Sequence, residues 1–204
     1  MLRAVSAAAL LLSVTASAQS SGEAGKSQCV YFHPIVTIVG TAVETVPLTI
    51  PVTYERELEN AKSFTFQPTV RFGTYKSSDE DDARTIDSKG VQLIATYRNY
   101  LNGKQSQGLY LAPGVRAGYA SYTQKSYAYT SLSGYTYRTK ELTADVTEAS
   151  LLGYIGYRAK YENLSVYVDL GLGYSMAKIS GDDVDNVSGT GLAADANLGI
   201  GFNF

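Results

Sequence analysis

The last segment of the chain alternates apolar and polar residues with a period of two. One set of alternate positions is apolar: Leu192, Ala194, Ala196, Leu198, Ile200, Phe202 and Phe204. The positions between them are small or polar: Ala193, Asp195, Asn197, Gly199, Gly201 and Asn203. Successive side chains of a β-strand point to opposite faces of the sheet. The pattern therefore predicts a strand with one apolar and one polar face.

The same alternation recurs along the chain and predicts about eight strands. Five further segments are clear and two are weaker; the clear ones are 64–73, 91–98, 109–119, 151–161 and 164–176, and the weaker ones are 30–40 and 46–56. The 17 Tyr and 19 Gly and the lack of long helical periodicity agree with β-structure. We expect an all-β fold, a closed antiparallel up-and-down barrel.

The polar face carries charged side chains, and whether this face points into the lumen or outward decides the class of barrel. A soluble barrel would not place glycine and small polar residues towards solvent while filling a narrow lumen with Phe and Leu, whereas a membrane barrel has an apolar outside and tolerates a polar inside. We therefore predict a transmembrane barrel. Its lumen should contain a network of opposite charges, formed by Glu55, Arg71, Arg98, Arg116, Arg158, Asp169 and Asp195.

The connections and the aromatic residues agree with a membrane orientation. Short turns are predicted at 57–62, 101–107 and 162–163, and the opposite connections, at 41–45, 76–87, 123–140 and 179–190, are long except the first. Short periplasmic turns and longer external loops are the rule for outer-membrane barrels. Outward aromatic residues lie near both strand ends, where amphipathic rings favour the headgroup level; they are Phe32, Tyr54, Phe64, Tyr97, Tyr157, Phe202 and Phe204 at one end and Phe72, Tyr119 and Tyr174 at the other.

Four prolines argue against this assignment, because proline cannot donate a hydrogen bond to a strand ladder. They are Pro34, Pro51, Pro68 and Pro113, and all fall inside predicted strands. We expect bulges or locally unpaired carbonyl groups at these positions. The boundaries of the first two strands are the least secure.

The first 18 residues have the features of an export signal. Arg3 forms a positive start, residues 4–14 are apolar, and Ala16-Ser17-Ala18 is a small-residue cleavage site. We therefore divide the chain into a signal peptide (1–18), a short tail (19–28) and a barrel (29–204). Together with the barrel, this predicts a location in the bacterial outer membrane.

No catalytic constellation is evident, and we expect neither an enzyme nor a cofactor. His33 is the only histidine and is interpreted as a lumen or rim residue, Cys29 is the only cysteine, and no Gly-x-Ser-x-Gly elbow occurs. The acidic runs Asp79-Glu80-Asp81-Asp82 and Asp182-Asp183 lack the spacing of an EF-hand and are interpreted as solvated loop charge. With a formal net charge of −2, the chain has no basic footprint for nucleic acid.

The longest external connection is rich in tyrosine. Around the turn Ser131-Leu132-Ser133-Gly134 lie Tyr127, Tyr129, Tyr135 and Tyr137. A membrane crossing needs only about 9–11 residues per strand, so this hairpin should project outward as paired strands, with the tyrosines stacking across the ladder. We predict it as a contact surface for an extracellular partner; an external hairpin with no partner is an equally good interpretation.

The last eight residues, Asn197-Leu198-Gly199-Ile200-Gly201-Phe202-Asn203-Phe204, resemble the terminal signal of outer-membrane barrels. The resemblance implies recognition by the barrel-insertion machinery through Asn197, Gly199, Phe202 and Phe204. Four further segments carry a second likeness: 53–56, 96–101, 108–114 and 168–174. Through them the chain looks like a family of small OmpA/OmpX-like eight-stranded barrels described only as a domain of unknown function. The family implies fold and location but no activity.

Three functions remain open from the sequence. The first is a structural or surface-interaction barrel embedded in outer-membrane lipid. The second is a narrow anion-preferring pore, lined by the inward arginines and Lys160. The third is a secreted soluble barrel that binds a ligand.

Overall fold

A computed structural model of the chain describes residues 28–34, 48–79, 82–101, 106–129, 136–181 and 184–204, with side chains left undescribed in 75–84, 126–140 and 184–185. It contains eight strands: β1 (Gln28–Phe32), β2 (Leu48–Leu58), β3 (Lys62–Asp79), β4 (Asp82–Tyr100), β5 (Gly108–Tyr129), β6 (Thr136–Tyr161), β7 (Leu164–Gly181) and β8 (Val184–Asn203). Several predictions lie outside the described residues: the signal peptide, most of the tail, residues 35–40 and 41–45, Glu80, Asp81, the turn at 131–134, Tyr135, and Asp182-Asp183.

The eight strands form one closed ring. Each strand pairs antiparallel with the next along the chain, and β8 returns to pair with β1. The predicted closed up-and-down barrel of eight antiparallel strands is therefore confirmed. Within the described residues, no helix is long and apolar enough to cross a membrane.

The two faces of the wall differ as the alternation predicts. On the outside, Leu170 is 59% exposed, Leu172 72% and Leu192 95%. On the inside, Glu55 and Arg158 are completely buried, together with tyrosine, serine and threonine side chains. The barrel thus has an apolar exterior and a polar lumen.

The strands extend much further on the long-connection side than the sequence predicts. The ladder between β3 and β4 continues to Asp79↔Asp82, and that between β5 and β6 to Tyr129↔Thr136. The connections expected at 76–87 and 179–190 are therefore largely strand. The expected paired strands of the hairpin within 123–140 are confirmed as far as Tyr129↔Thr136. Beyond the apolar belt both faces of a strand meet water, so the period-two contrast disappears although the backbone pairing continues.

Each of the four prolines lies beside a stretch of ladder that forms no pair with one neighbour. The β2–β3 ladder passes from Pro51↔Thr69 to Tyr54↔Phe66 and omits Pro68, and the β4–β5 ladder omits Pro113 in the same way. Pro51 lies one residue beyond the last pair with β1, and β1 ends before Pro34. The register is unchanged across both gaps, so the prolines cause unpaired positions and not bulges.

Candidate functional site

The centre of the lumen is organised around one carboxylate, that of Glu55 on β2. Its side chain is fully buried. Five neighbouring groups donate hydrogen bonds to it: Tyr31 at 2.7 Å, Tyr100 at 2.8 Å, Arg98 at 3.0 Å, Arg158 at 3.3 Å, and Ser63. A buried charge is tolerated only when it is paired and its remaining oxygen lone pairs are satisfied. Glu55 meets both conditions.

Arg98 on β4 extends this cluster across the lumen. Its Nη2 lies 3.3 Å from Asp169 Oδ2 on β7, while its Nη1 bonds to Glu55 on β2. The guanidinium is stacked between two rings, 4.7 Å from the centroid of Tyr110 and 4.2 Å from that of Tyr167. Cation–π contacts of this kind are strongest where water is absent. One arginine thus joins strands from opposite parts of the wall.

Arg158 on β6 forms the second half of the cluster, nearer the short turns. It donates to the carboxylates of Glu55 and Glu57 and, at 2.8 Å, to the backbone carbonyl of Ser106. Its Nη2 lies 3.2 Å from both Ser165 Oγ and Asn203 Oδ1. This single side chain therefore contacts β2, the β4–β5 turn, β7 and β8.

Tyrosine rings on the lumen face pack against glycines of adjacent strands. A Cβ placed on Gly156 would lie 2.5 Å from the Tyr110 ring, and one placed on Gly171 would lie 2.5 Å from the ring of Tyr154. Glycine is required at these positions because the ring occupies the space of the missing side chain. This explains why so many glycines fall on the polar face.

The remaining predicted lumen charges form a looser group towards the long hairpins. Arg71 donates to Gln92 at 3.2 Å, and Gln92 donates to Glu148 at 2.6 Å. Arg116 lies 3.8 Å from Glu148. The structure therefore brings Glu55, Arg98, Arg158 and Asp169 into direct contact. Arg71 and Arg116 belong to this separate group.

Asp195 lies beside the central cluster and is joined to Asp169 through Asn197. Tyr154 donates to its carboxylate at 2.9 Å, and the Asn197 amide bonds to both Asp195 and Asp169. Asn197 and Gly199, which the terminal-signal resemblance singles out, thus face the lumen, whereas Phe202 and Phe204 are exposed on the outside.

His33 and Cys29 are both buried in the lumen. His33 Nε2 lies 2.7 Å from Thr53 Oγ1 and 3.4 Å from the hydroxyl of Tyr167. Cys29 is a free thiol. Among the described residues, no group of three or more His, Cys, Asp or Glu side chains could hold a metal ion.

The predicted charge network of the lumen omits Glu57 and the tyrosines that bond to its carboxylates. Glu57 receives hydrogen bonds from Arg158 at 2.9 Å and from Lys160 at 3.1 Å. The alternation already contains the needed signal, because Glu57 shares the parity of Glu55, and Tyr110 and Tyr167 alternate with outward leucines and valines. Their role as hydrogen-bond donors to buried carboxylates follows only from the cross-lumen geometry.

The backbone register of the tyrosine-rich hairpin shifts close to its tip. Tyr127 lies opposite Arg138, and Tyr137 lies opposite Ala128, after a register shift between Ser126 and Tyr127. One extra residue on β6 changes the pairing parity there, so none of Tyr127, Tyr129 and Tyr137 is the backbone partner of another. The stacking of the tyrosine rings concerns side chains outside the described ones and stays a prediction.

Comparison with known proteins gives structural similarities at very low sequence identity. No family model matches the chain, which leaves its resemblance to the domain-of-unknown-function family without support, and no curated protein matches. The solved structure of CarO from Acinetobacter baumannii is 10% identical, with a TM-score of 0.44 over 88% of this chain and 97% of that one. A major outer membrane protein from Thermus thermophilus is 13% identical, with a TM-score of 0.47 over 89% and 100%.

The fold itself defines the class of protein. A closed antiparallel ring with an exposed apolar exterior and a buried, hydrogen-bonded polar interior is the reverse of a soluble barrel. The chain is a β-barrel of the outer-membrane type. Its candidate site is the cluster of mutually bonded side chains around Glu55 and Arg98.

Proposed function

We propose that this protein is an integral barrel of the bacterial outer membrane with a structural or surface-contact role, without catalytic activity. The observation that carries the proposal is the ion pair of Arg98 with Glu55, extended to Asp169 across the lumen. Buried guanidinium and carboxylate groups that bond to one another from several strands are suited to stabilising the barrel wall. The hydroxyl groups that lie beside a base, Ser63 at Glu55 and Thr53 at His33, are 0% and 1% exposed, so a substrate could not reach them.

The exterior supports the membrane location. On β7 the outward side chains are apolar from Leu164 to Met176, and Lys178 follows. These thirteen residues cover the roughly 9–11 that one tilted strand needs to cross a bilayer. Outer-membrane lipid is then the principal partner. The second partner is the barrel-insertion machinery, which would recognise Phe202 and Phe204.

The narrow anion pore is the weaker alternative. Its cationic lining would require free arginine charge, but Arg98 and Arg158 are paired with Glu55, Glu57 and Asp169 and are almost completely buried. The rings of Tyr110 and Tyr167 stack on Arg98 and are almost completely buried, so they fill the lumen at that level.

Planar-bilayer recording tests this choice. Purified wild-type protein should insert and show no steady ionic current under an applied potential. Steady single-channel currents with anion selectivity from the wild type would overturn the structural role in favour of the pore.

Cell fractionation tests the location and separates it from the soluble alternative. We expect the protein in the outer-membrane fraction, with a gel mobility that changes on boiling. Recovery of the folded protein in the periplasmic or secreted fraction without detergent would overturn the proposal and favour the soluble ligand-binding barrel.

The long β5–β6 hairpin supports a surface-contact role. Among the described residues, β6 pairs with β7 as far as Ala144↔Gly181, and β6 continues beyond this pair from Thr143 to Thr136. On the other side of the hairpin, β5 pairs with β4 as far as Tyr127. An extended peptide of a partner could add to an edge of this kind, with the tyrosines Tyr127, Tyr129, Tyr135 and Tyr137 as the nearby contact residues.

A further inference from the structure

The apolar exterior is not uniform, because a groove crosses it over strands β3, β4 and β5. The groove has a volume of about 440 Å³, within the range of about 300–1,000 Å³ that is usual for small-molecule sites. Its lining is almost entirely apolar. The principal lining residues are Pro68, Val70, Val91, Leu93, Ala117 and Tyr119.

The register explains the shape of the groove. Pro68, Leu93 and Ala117 are successive partners on one row across the three strands, and the short side chains of Pro68 and Ala117 flank Leu93. On the next row, Val91 pairs with Tyr119, whose ring forms a wall. The Tyr119 hydroxyl donates to Asp145 at 2.9 Å, which fixes the ring. The depression is therefore built into the wall.

A lysine lies on β4 beyond the upper end of this groove, in an adjoining depression that it lines together with Asp87, Ser121 and Lys125. Lys89 is two residues from Val91 on β4, shares its outward face and is exposed. A strand rises about 3.3 Å per residue, so Lys89 lies about 7 Å along β4 towards the long hairpins. Lys125, further out, is paired with Asp87 at 3.0 Å, whereas no described side chain forms an ion pair with Lys89.

We propose that the groove binds an acyl chain of a phosphorylated glycolipid of the outer leaflet, with Lys89 contacting its phosphate. An apolar groove below a single cation matches a lipid whose acyl chains start close to a phosphate, and lysine is well suited to reach a headgroup from an apolar surface. This inference rests on the proposed membrane location, which puts the long hairpins outside and Lys89 at the outer leaflet.

The chain offers matched control positions. Ala149 is the next partner of Ala117 on the same row and is exposed, but it does not line the groove. Lys178 is an exposed outward lysine on β7, two residues beyond Met176. Ala117→Leu fills the groove and Ala149→Leu adds the same bulk beside it. Lys89→Gln and Lys178→Gln remove equivalent charges.

The experiment is native mass spectrometry of the purified full-length barrel in detergent with bisphosphorylated lipid A as the probe. Wild type should retain one lipid A molecule and bind fully dephosphorylated lipid A more weakly. Ala117→Leu and Lys89→Gln should each lose about tenfold or more in affinity, a change of about 1.4 kcal/mol, while Ala149→Leu and Lys178→Gln should bind like wild type.

Equal losses in the test and control variants, or no retained lipid A, would overturn the inference. All variants are first checked for heat-modifiable mobility and outer-membrane fractionation. A barrel that passes these checks but retains no lipid A contradicts the lipid site alone. A chain that fails them in its wild-type form contradicts the proposed function itself.

Discussion

Arg98 on β4 and Glu55 on β2 form an ion pair across the lumen, with Nη1 3.0 Å from Oε2 and with 2% and 0% of the two side chains exposed. Because water is excluded from this pair, neither charge can be solvated if the other is lost. The ion pair therefore links β2 and β4, which are not adjacent strands of the barrel. The account of the protein as a filled barrel depends on this contact.

Removing the Arg98 charge should strongly destabilise the barrel. Arg98→Met keeps the length of the side chain but leaves Asp169 without its cation, and breaking a buried ion pair costs about 3–5 kcal/mol. The measurement is urea unfolding in phospholipid vesicles. Arg116→Met is the control, because Arg116 lies 3.8 Å from the partly exposed Glu148; its cost should be about 1 kcal/mol or less. Similar costs for the two variants would contradict the central role of Arg98.

Gly156→Ala should disturb the packing beneath the central cluster. The added methyl group would lie 2.5 Å from the Tyr110 ring and 2.6 Å from Asp169 Cβ, so both side chains would have to move. Overpacking of this kind costs about 1–3 kcal/mol, measured in the same unfolding assay. Gly189→Ala, with nothing within 4 Å of its added Cβ, should change stability by no more than about 0.5 kcal/mol. A neutral Gly156→Ala would show that the ring does not occupy that space.

A charge on the apolar belt should be costly at its centre and tolerated beyond its edge. Leu170 lies midway along the outward apolar residues of β7 and is 59% exposed. Leu170→Arg should cost about 2–4 kcal/mol in bilayers. Ser188 is the cross-strand partner of Lys178, beyond the belt, so Ser188→Arg should cost about 0–1 kcal/mol. Equal stability of Leu170→Arg and wild type would mean that this face does not meet lipid.

Deletion of residues 124–138 should leave barrel assembly intact. It would join Thr123 to Thr139, and the four residues 139–142 could then turn back to Thr143, which is already the partner of Thr123. Heat-modifiable mobility should therefore survive the deletion, whereas any surface binding should be lost. Failed assembly would show that the hairpin belongs to the folding core, and the contact proposal would then be dropped.

Which residues of the barrel wall face outward can be predicted from the sequence, because lipid and lumen require opposite polarities at successive positions. The strict alternation in β8 and β7 assigns Leu172 to lipid and Asp169 to the lumen without any structure. The same reasoning fails where both faces of a strand meet water, which is why 76–87 and 179–190 were expected to be connections. Only the backbone pairing shows that most of these residues continue strands.

The interior of the cluster is less predictable because its contacts join residues far apart in sequence. Alternation places Glu55 and Arg158 inside, but it cannot show that they lie 3.3 Å apart across 103 positions. The choice between paired and free lumen charge decides between a filled barrel and a pore. That choice depends on cross-lumen distances, which strand periodicity does not contain.

The most direct test of the account is the depth-dependent quenching of single tryptophans. The chain contains no tryptophan, so Leu172→Trp on the exposed exterior and Tyr154→Trp in the buried lumen each give one clean signal. In bilayers that contain brominated lipids, we predict strong quenching of Trp fluorescence for Leu172→Trp and little for Tyr154→Trp. Strong quenching at the lumen position with none at the exterior position, or no quenching at either, would contradict a barrel that spans the membrane with its apolar face outward.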